Sequence, residues 1–512
     1  MEFWFVIILS ICLAALLKLI LGLSSSRRKL KLPPGPLSLP FISDLFWVRK
    51  SFADLEPILR SLHAKYGPVV ALRRGGSRPA VFVSSRLLAH QALVQDGATF
   101  ADRPPTVGVE TISTSRHRKI NSTPYGPMWQ VLRRNLTAEF LHPVRVRSYS
   151  PARKWVLKKL LDSLRRDEPV QPVGHFRCTI FSILVHMCFG DRIDEQQIKE
   201  VEEVQRVMPL ILGRFEILNL WPSLGKVLFR RQWKEFNRLS QKQKKVLLPL
   251  IRVHAIASRT KKRKEEQGKD YGDNVVCYAD TLLNLELPEK RKLNEDEMVS
   301  LCSEFLNGGT GSTSTALQWI MANIVKYPAV QETLYSEIRA MIGPKVVTVD
   351  EDDLQRLPYL KAVVLEGLRR HPPAHHVLPH AVTEDTELDG FLIPRKGTVN
   401  FMVAEMGWDP EVWEDPMAFR PDRFLVNRHG GGGMEFDITG AKEIKMMPFG
   451  AGLRMCPAYT LALLHLEYFV ANLVWAFEWK AVDGDEVDLS EKEEHTFVMK
   501  NPLQAILTPR LK

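Results

Sequence analysis

The fold of this 512-residue chain is decided near its end, by the stretch Pro448-Phe449-Gly450-Ala451-Gly452-Leu453-Arg454-Met455-Cys456-Pro457. Gly450 and Gly452 lack a Cβ and so allow the backbone to approach its neighbours closely. A thiolate is a soft-metal ligand that needs nearby N–H groups and positive charge, and Arg454 provides such a charge. The apolar run that follows predicts a helix whose N-terminal dipole also favours an anion. A lone cysteine is more often an inert core residue, so the prediction that Cys456 is a metal ligand depends on the residues around it.

The spacing Phe449-x-x-Gly452-x-Arg454-x-Cys456 resembles the haem-binding loop of the cytochrome P450 superfamily. The resemblance implies that the cofactor is haem b and that Cys456 is the proximal iron ligand, whose electron donation favours O–O cleavage. It also implies that Phe449 shields the sulfur and that Arg454 neutralises a haem propionate. The family usually has glycine at the position of Ala458, and we expect its extra methyl group to change the packing only slightly.

This resemblance covers nearly the whole chain and implies a mainly α (α+β) fold, a helical body with small β-sheets preceded by one transmembrane helix. Length alone would suggest about three domains, whereas the resemblance implies one catalytic unit. The hydrophobic content of 45% is sufficient for a large core. The six cysteines show no paired spacing, which favours a reducing compartment without a disulfide framework.

The N-terminal segment predicts a membrane anchor. Phe3 to Leu23 is an apolar run long enough to span a bilayer core of ~30 Å, and Glu2 argues against a cleaved signal peptide. Basic residues at 27–31 follow, so the positive-inside rule places the rest of the chain in the cytosol. We therefore predict an anchor at 1–23, a basic and proline-rich linker at 24–36, and a haem-thiolate catalytic domain at 37–512. The linker resembles the proline hinge of microsomal members, which implies a single-pass protein of the endoplasmic reticulum membrane.

Three further residues are expected near the haem. Trp129 and Arg133 are four positions apart on a helix predicted to start near Gly126, so they share one face. In the family this pair contributes hydrogen bonds to a haem propionate. His380, in Leu378-Pro379-His380, occupies the position where many members have a propionate-binding arginine or histidine.

A second pair of motifs predicts a structural ion-pair cluster. Glu366 and Arg369 lie three residues apart on a predicted helix, and such pairs are weak when exposed. The stretch Phe419-Arg420-Pro421-Asp422-Arg423-Phe424 follows, and Arg423 could complete a buried cluster, since buried charges persist only when paired. The order of these motifs matches the family, in which the cluster fixes the geometry of the cysteine loop.

The helix predicted at 301–325 departs from the family pattern. It contains Asn307-Gly308-Gly309-Thr310-Gly311-Ser312-Thr313, although each glycine inside a helix costs about 1 kcal/mol relative to alanine. The segment resembles the distal helix above the haem, Ala/Gly-Gly-x-Asp/Glu-Thr-Thr/Ser, so Gly311 replaces the acid and Ser312 and Thr313 keep the hydroxyls. Cleaving O–O requires proton delivery by positioned groups or waters. Glu304, two turns earlier, could take part only through water.

The residues leave three functions open. The first is a monooxygenase that receives electrons from NADPH through a flavoprotein reductase and oxidises a lipophilic small molecule with O2. The second is a non-oxygenating isomerase or dehydratase acting on an oxygenated substrate, which needs no proton relay. The third is a catalytically impaired haem-binding membrane protein. The net charge of +11 suits an acidic electron donor and favours the first, and no aromatic residues alternate along a basic stripe, which argues against nucleic-acid binding.

Two further stretches resemble plant microsomal members of the family, particularly the group called family 89. They are Thr315-Ala316-Leu317-Gln318-Trp319-Ile320-Met321-Ala322-Asn323 and Leu464-His465-Leu466-Glu467-Tyr468-Phe469-Val470-Ala471-Asn472. The polar stretch 100–125 is expected to cover the substrate cavity, and the apolar stretch 208–228 is either core or the roof of that cavity. The identity of the substrate does not follow from the sequence.

Overall fold

A computed structural model describes residues 31–36, 50–73, 79–104, 119–165, 169–190, 193–212, 230–265, 275–344, 346–425, 436–482 and 486–510. The predicted anchor at 1–23 lies outside these ranges, as do residues 105–118 and 213–229 of the expected cavity cover and roof. Within the described ranges, no helix has both the length and the apolar character needed to cross a bilayer. The membrane anchor therefore stays a prediction.

The described chain is rich in helices, as the sequence predicts. In chain order the helices are α1 (Phe52–Tyr66), α2 (Arg86–His90), α3 (Gly97–Phe100), α4 (Pro127–Arg134), α5 (Pro143–Ser148), α6 (Ser150–Leu164), α7 (Val173–Phe189), α8 (Glu195–Leu212), α9 (Arg230–Glu265), α10 (Tyr278–Leu283), α11 (Glu295–Lys326), α12 (Pro328–Ile342), α13 (Pro358–Arg370), α14 (Val403–Gly407) and α15 (Tyr459–Ala476). Two π-helical turns, Gln91–Gln95 and Asn135–Phe140, continue α2 and α4.

The strands are short. They are β1 (Val69–Arg73), β2 (Pro79–Val83), β3 (His380–Ala381), β4 (Thr386–Leu388), β5 (Phe391–Ile393), β6 (Thr398–Phe401), β7 (Phe477–Ala481), β8 (Glu491–Glu493), β9 (Phe497–Met499) and β10 (Ala505–Pro509). One sheet has the order β1-β2-β6-β3, with β2 and β6 parallel, and the pairs β7–β10, β4–β5 and β8–β9 are antiparallel.

Part of the predicted linker lies against these strands. The Ala71 N–H of β1 donates to the Pro34 carbonyl at 2.8 Å, and the Leu392 N–H of β5 donates to the Lys31 carbonyl at 3.0 Å. A Cβ at Gly35 would lie 1.9 Å from the Ala71 carbonyl oxygen, so glycine permits this close approach. Residues 31–36 are thus docked on the body of the protein.

Helix α11 runs through the centre of the main core. Its start is fixed by a capping box, in which Asn294 accepts the Glu297 N–H and Glu297 accepts the Asn294 N–H. Every side chain from Thr313 to Val325 is buried, as expected for a helix that is surrounded by other elements. Helices α7, α13 and α15 pack against it. The predicted helix is confirmed, and the glycines at 308, 309 and 311 do not interrupt it.

The apolar periodicity of residues 144–164 predicts one helix, but the structure divides this segment into two. Helix α5 ends at Ser148 and α6 begins at Ser150, with Tyr149 between them. Pro151 explains the break, because proline cannot donate to the carbonyl four residues earlier and is tolerated only in a first helical turn. The Tyr149 hydroxyl stabilises the corner by donating toward the Met187 and Val276 carbonyls at 3.3 and 2.9 Å.

The structure brings together the Glu–Arg–Arg cluster (Glu366, Arg369 and Arg423). Arg369 donates to both carboxylate oxygens of Glu366 at 2.7 and 2.8 Å, and both side chains are fully buried. Its remaining N–H groups bind backbone carbonyls. Arg423 Nε approaches the same carboxylate at 3.4 Å, and the Arg420 backbone N–H donates to it at 2.7 Å. The buried charges are therefore paired and hydrogen-bonded, which is the condition for their stability.

One tryptophan connects this cluster to the chain that precedes Cys456. The Arg369 guanidinium lies 5.4 Å from the centre of the Trp413 ring, within the range of a cation–π interaction. Trp413 Nε1–H donates to the Lys445 carbonyl at 3.2 Å. Lys445 is three residues before Pro448, where the cysteine loop starts. The cluster is therefore placed to support the loop.

Replacing Arg369 with methionine should lower the free energy of unfolding by about 3–5 kcal/mol, because the buried Glu366 carboxylate loses its bidentate partner. Arg420→Met is the matched control. The Arg420 side chain is 49% exposed and pairs with Asp415, which is 55% exposed, so this change should cost less than about 1 kcal/mol. Urea unfolding followed by tryptophan fluorescence measures both values. Equal losses in the two variants would contradict a stabilising role for the cluster.

Candidate active site

The loop before Cys456 turns through two glycines in the left-handed region, Gly450 at φ +71° and Gly452 at φ +68°. A Cβ at Gly452 would lie 1.8 Å from the Leu93 carbonyl oxygen, so no other residue fits there. The Cys456 N–H donates to the Phe449 carbonyl at 2.8 Å and closes the loop. The sequence-based reason for glycine in this loop, close backbone approach, is confirmed for Gly452.

Cys456 is held in the environment that a thiolate ligand needs. It keeps some exposed surface, and burial of the thiol raises its pKa, while a hydrogen bond from the Ala458 N–H and the charge of Arg133 lower it. A coordinated metal would keep the sulfur deprotonated outright. Ala458, where the family usually has glycine, has φ −114°, so its Cβ causes no backbone strain.

Three arginines form what we call the cation cluster, Arg103, Arg133 and Arg454. Burial lowers the pKa of Arg454 to about 9, and repulsion from Arg103 and Arg133 contributes. Burial also lowers the pKa of Arg103 to about 10 and that of Arg133 below its usual value. The charge of Asp102 partly offsets these effects at Arg103 and Arg454, as does that of Glu304 at Arg103, but among the described residues no carboxylate lies within ion-pairing distance of the three guanidinium groups. Crowded, buried cations require anions, so the cation cluster marks an anion site.

The Arg454 guanidinium is oriented by backbone carbonyls. Arg454 donates three hydrogen bonds of 2.7–3.2 Å, to the carbonyls of Ala101, Ile120 and Thr123. Its planar group lies 4.4 Å from the centre of the Trp129 ring, so Trp129 contributes a cation–π contact at this point. Arg454 therefore fastens two distant segments of the chain to the cysteine loop.

His380 lies beside the same charges. Its Nδ1–H donates to the Phe100 carbonyl at 2.7 Å. Burial, together with the charges of Arg103 and Arg454, lowers the pKa of His380 to about 3. The ring is thus neutral at physiological pH, and an anion bound beside it would raise that pKa again.

These residues fit a haem b. A haem carries two propionates, which supply the negative charge that the cation cluster lacks, and its iron accepts the thiolate of Cys456. Cys456 and Arg133 are close enough to influence each other's pKa, so the metal ligand and an anion site border one space. Cys456 would hold the iron, and Arg103, Arg133 and Arg454 would hold the propionates.

On helix α11, Gly311 and Ser312 have different surroundings. The Ser312 hydroxyl donates to the Gly308 carbonyl at 2.9 Å. A Cβ added at Gly311 would lie 3.8 Å from His495 Cδ2 and 4.0 Å from Thr496 Cγ2, which is ordinary contact. Space therefore exists at residue 311 for a side chain, next to the hairpin that joins β8 and β9.

Glu304 and Thr313 lie on the same helix. The Glu304 carboxylate accepts the backbone N–H groups of Ile120 and Asn121, both at 2.8 Å. Burial raises its pKa, and its oxygens are occupied in fastening the chain near residue 120. Thr313, predicted as a catalytic hydroxyl, is 7% exposed and lies one helical step away from Ser312, toward the core.

Comparison with known proteins agrees with this geometry. The family model described as Cytochrome P450 matches residues 33–508. The chain belongs to the cytochrome P450 family. It is accordingly a haem-dependent monooxygenase, which holds haem b and uses O2.

The relatives of this P450 include plant enzymes. It is 48% identical to cytochrome P450 89A9 of Arabidopsis thaliana, and the match covers 99% of each chain. It is 29% identical to 5-epiaristolochene 1,3-dihydroxylase of Nicotiana tabacum, again over 99% of each chain. The predicted closeness to family 89 of the plant A-type P450s is confirmed.

Solved structures agree on the fold. A retinoic-acid-bound cyanobacterial P450, CYP120A1, superposes with a TM-score of 0.71 at 19% identity, over 94% of this chain and 100% of that one. The helical body with small sheets is therefore that of a P450.

Sequence reasoning missed Arg103 and the role of Glu304. Arg103 donates to the carbonyls of Asn121, Leu378 and Pro379 at 2.7–2.8 Å. The only available signal was a basic residue in Phe100-Ala101-Asp102-Arg103, at the start of the polar stretch. Its partners come from two distant parts of the chain, so no local pattern identifies it.

Replacing Cys456 with serine should abolish the thiolate-type absorption spectrum of the reduced carbonyl complex, because serine supplies no thiolate to the iron. Cys178→Ser is the matched control, since Cys178 is an exposed thiol on helix α7. That variant should keep the spectrum unchanged, and the buried Cys188, Cys277 and Cys302 should also be dispensable for it. A thiolate-type spectrum in Cys456→Ser would contradict the assignment.

Proposed function

We propose that this P450 is anchored in the endoplasmic reticulum membrane with its catalytic domain in the cytosol, receives electrons from an NADPH-dependent flavoprotein reductase, and oxidises a lipophilic small molecule. The observation that carries the proposal is the position of Cys456 beside the charge of Arg133, which together with Arg103 and Arg454 forms the cation cluster. The relative named as a 1,3-dihydroxylase supports oxygenation of a small molecule over rearrangement.

Each part of the site has a defined task. Bound haem supplies an iron that binds and activates O2. Cys456 would hold that iron through its sulfur, and the N–H of Ala458 and the charge of Arg133 stabilise the sulfur anion. Arg103, Arg133 and Arg454 would orient the cofactor by neutralising its propionates. Trp129 and the carbonyls around Arg454 keep that guanidinium in place before the cofactor arrives.

Proton supply depends on Ser312 and on solvent near Gly311. Ser312 is held by the Gly308 carbonyl, so its hydroxyl has a fixed position. The oxygens of Glu304 are engaged by amides, which argues against a relay from that residue. Water beside Gly311 is then the remaining route, because positioned waters can substitute for an acidic side chain.

The electron donor is inferred from charge. The chain carries a net charge of +11, and complementary charge accelerates the encounter of two proteins. An acidic flavoprotein fits this surface. A lipophilic substrate fits the apolar cavity that such small-molecule sites generally offer, although residues 105–118 and 213–229, expected to border the cavity, lie outside the described chain.

Reconstitution with an NADPH-dependent reductase tests the proposal. Addition of a lipophilic substrate that shifts the haem spectrum should give steady NADPH consumption and an oxygenated product. Turnover of a hydroperoxide without reductase, combined with no NADPH-dependent product, would instead support the isomerase or dehydratase alternative. Binding of haem without either activity would leave only a haem-binding role.

Gly311→Asp should raise the product formed per NADPH consumed, because the added Cβ makes only ordinary contacts with His495 and Thr496 and the carboxyl group restores an acid. Ser312→Ala should lower this ratio by roughly tenfold, since positioned proton-transfer groups contribute 10²- to 10⁴-fold and water recovers part of the loss. Gly174→Ala is the matched control, because a Cβ at Gly174 in helix α7 meets nothing within 4 Å, and it should leave the ratio unchanged. Unchanged ratios in both test variants would show that neither position delivers protons.

A further inference from the structure

Three side chains with metal-binding atoms meet where helices α9 and α10 pack together, and none of them belongs to the active site. They are His254 of α9, Cys277 directly before α10, and Asp280 in the first turn of α10. His254 Nδ1 lies 3.0 Å from Asp280 Oδ1 and 3.5 Å from Cys277 Sγ, and that sulfur lies 3.0 Å from Asp280 Oδ2. The three ligand atoms therefore surround one small space.

The histidine is oriented as metal-bound histidines usually are. His254 Nε2 lies 2.7 Å from the Phe189 carbonyl, to which it must donate because a carbonyl only accepts. Nδ1 then faces the cysteine and the carboxylate. Metal-ligating histidines almost always donate their other ring N–H to a carbonyl or carboxylate, which fixes the ring orientation.

Asp280 can bind a metal without giving up its structural role. Its Oδ2 accepts the Cys277 backbone N–H at 3.0 Å and so completes the cap of α10. Its Oδ1 faces His254 and is the oxygen available to a cation. Metal binding would replace the contacts that depend on the Cys277 thiol proton and the His254 Nδ1 proton.

We propose that His254, Cys277 and Asp280 form a zinc site that fastens α9 to α10 and to the end of α7. Zinc takes thiolate, imidazole and carboxylate ligands in tetrahedral geometry, with bonds of roughly 2.0–2.3 Å that place neighbouring ligand atoms roughly 3.2–3.6 Å apart. His254 Nδ1 lies 3.0 Å from Asp280 Oδ1 and 3.5 Å from the Cys277 sulfur, and these two separations reach that geometry with shifts of a few tenths of an ångström.

The charges and the exposure also suit zinc. Thiolate and carboxylate together balance the two positive charges of the ion. Their negative charge also exceeds the partial positive charge at the N-terminus of α10, which is weak because this helix has only six residues. The side chains of His254 and Asp280 are 17% and 30% exposed, so a water can occupy the fourth position. On binding, the thiol proton and any proton on Nδ1 pass to the solvent, and no oxidant or reductant is involved.

Equilibrium dialysis of the haem-loaded protein against zinc, with a phosphine reductant to keep thiols reduced, tests this site. The wild type should bind one zinc ion with a dissociation constant of about 1 µM or lower. Cys277→Ser should weaken binding by more than about 100-fold, beyond the usual effect of changing a residue that only supports a ligand. Serine is a good helix cap, so the haem spectrum and the melting temperature without zinc should not change.

Cys178→Ser is the matched control and should bind zinc like the wild type, because its thiol is on the exposed surface of α7. Equal zinc binding by Cys277→Ser and the wild type would overturn the proposal. So would the absence of bound zinc in the wild type at micromolar free zinc. In either case the three residues would form only a helix cap closed by an ion pair. Since the measurement needs no turnover, its outcome is independent of the proposed function.

Discussion

The buried positive charge of the cation cluster determines how distant segments of this P450 are joined around the haem site. Burial lowers the pKa of Arg454 to about 9, and repulsion from the two other guanidinium groups of the cation cluster adds to this effect. The hydrogen bonds of Arg454 and Arg103 run to backbone carbonyls at residues 101, 120 and 378, so distant parts of the chain are joined at one charged centre. A bound dianion such as a haem with its propionates removes the repulsion and stabilises all of these connections together. Cofactor binding and folding of this region are thereby linked.

The cysteine loop is determined by contacts on both of its sides. On one side, the Leu93 carbonyl leaves no space for a Cβ at Gly452. On the other, the Glu–Arg–Arg cluster acts through Trp413, which donates to the Lys445 carbonyl ahead of the loop. The position of Cys456 is therefore set by rigid neighbours and not by the loop alone, which is how a reactive group is held in a productive geometry.

Local sequence patterns identified the parts of the site that lie within one stretch of chain. The glycines around Arg454, the Glu366–Arg369 pair and the helix through Ser312 could all be predicted, because each depends on spacing along one element. Arg103 and the amide contacts of Glu304 could not, since their partners are more than a hundred residues away. Pro151 indicates the break at Tyr149, whereas the apolar periodicity of residues 144–164 predicts one continuous helix. Long-range packing decides such details, and a single sequence does not display it.

The central claim is that Cys456 binds haem iron through its sulfur. Iron X-ray absorption spectroscopy on the purified wild-type protein tests it most directly, because the method reports the elements that surround the metal. We predict iron in near one-to-one amount with the chain and a single sulfur neighbour, beside the porphyrin nitrogens. Retained iron surrounded only by nitrogen and oxygen, with no sulfur neighbour, would contradict the account.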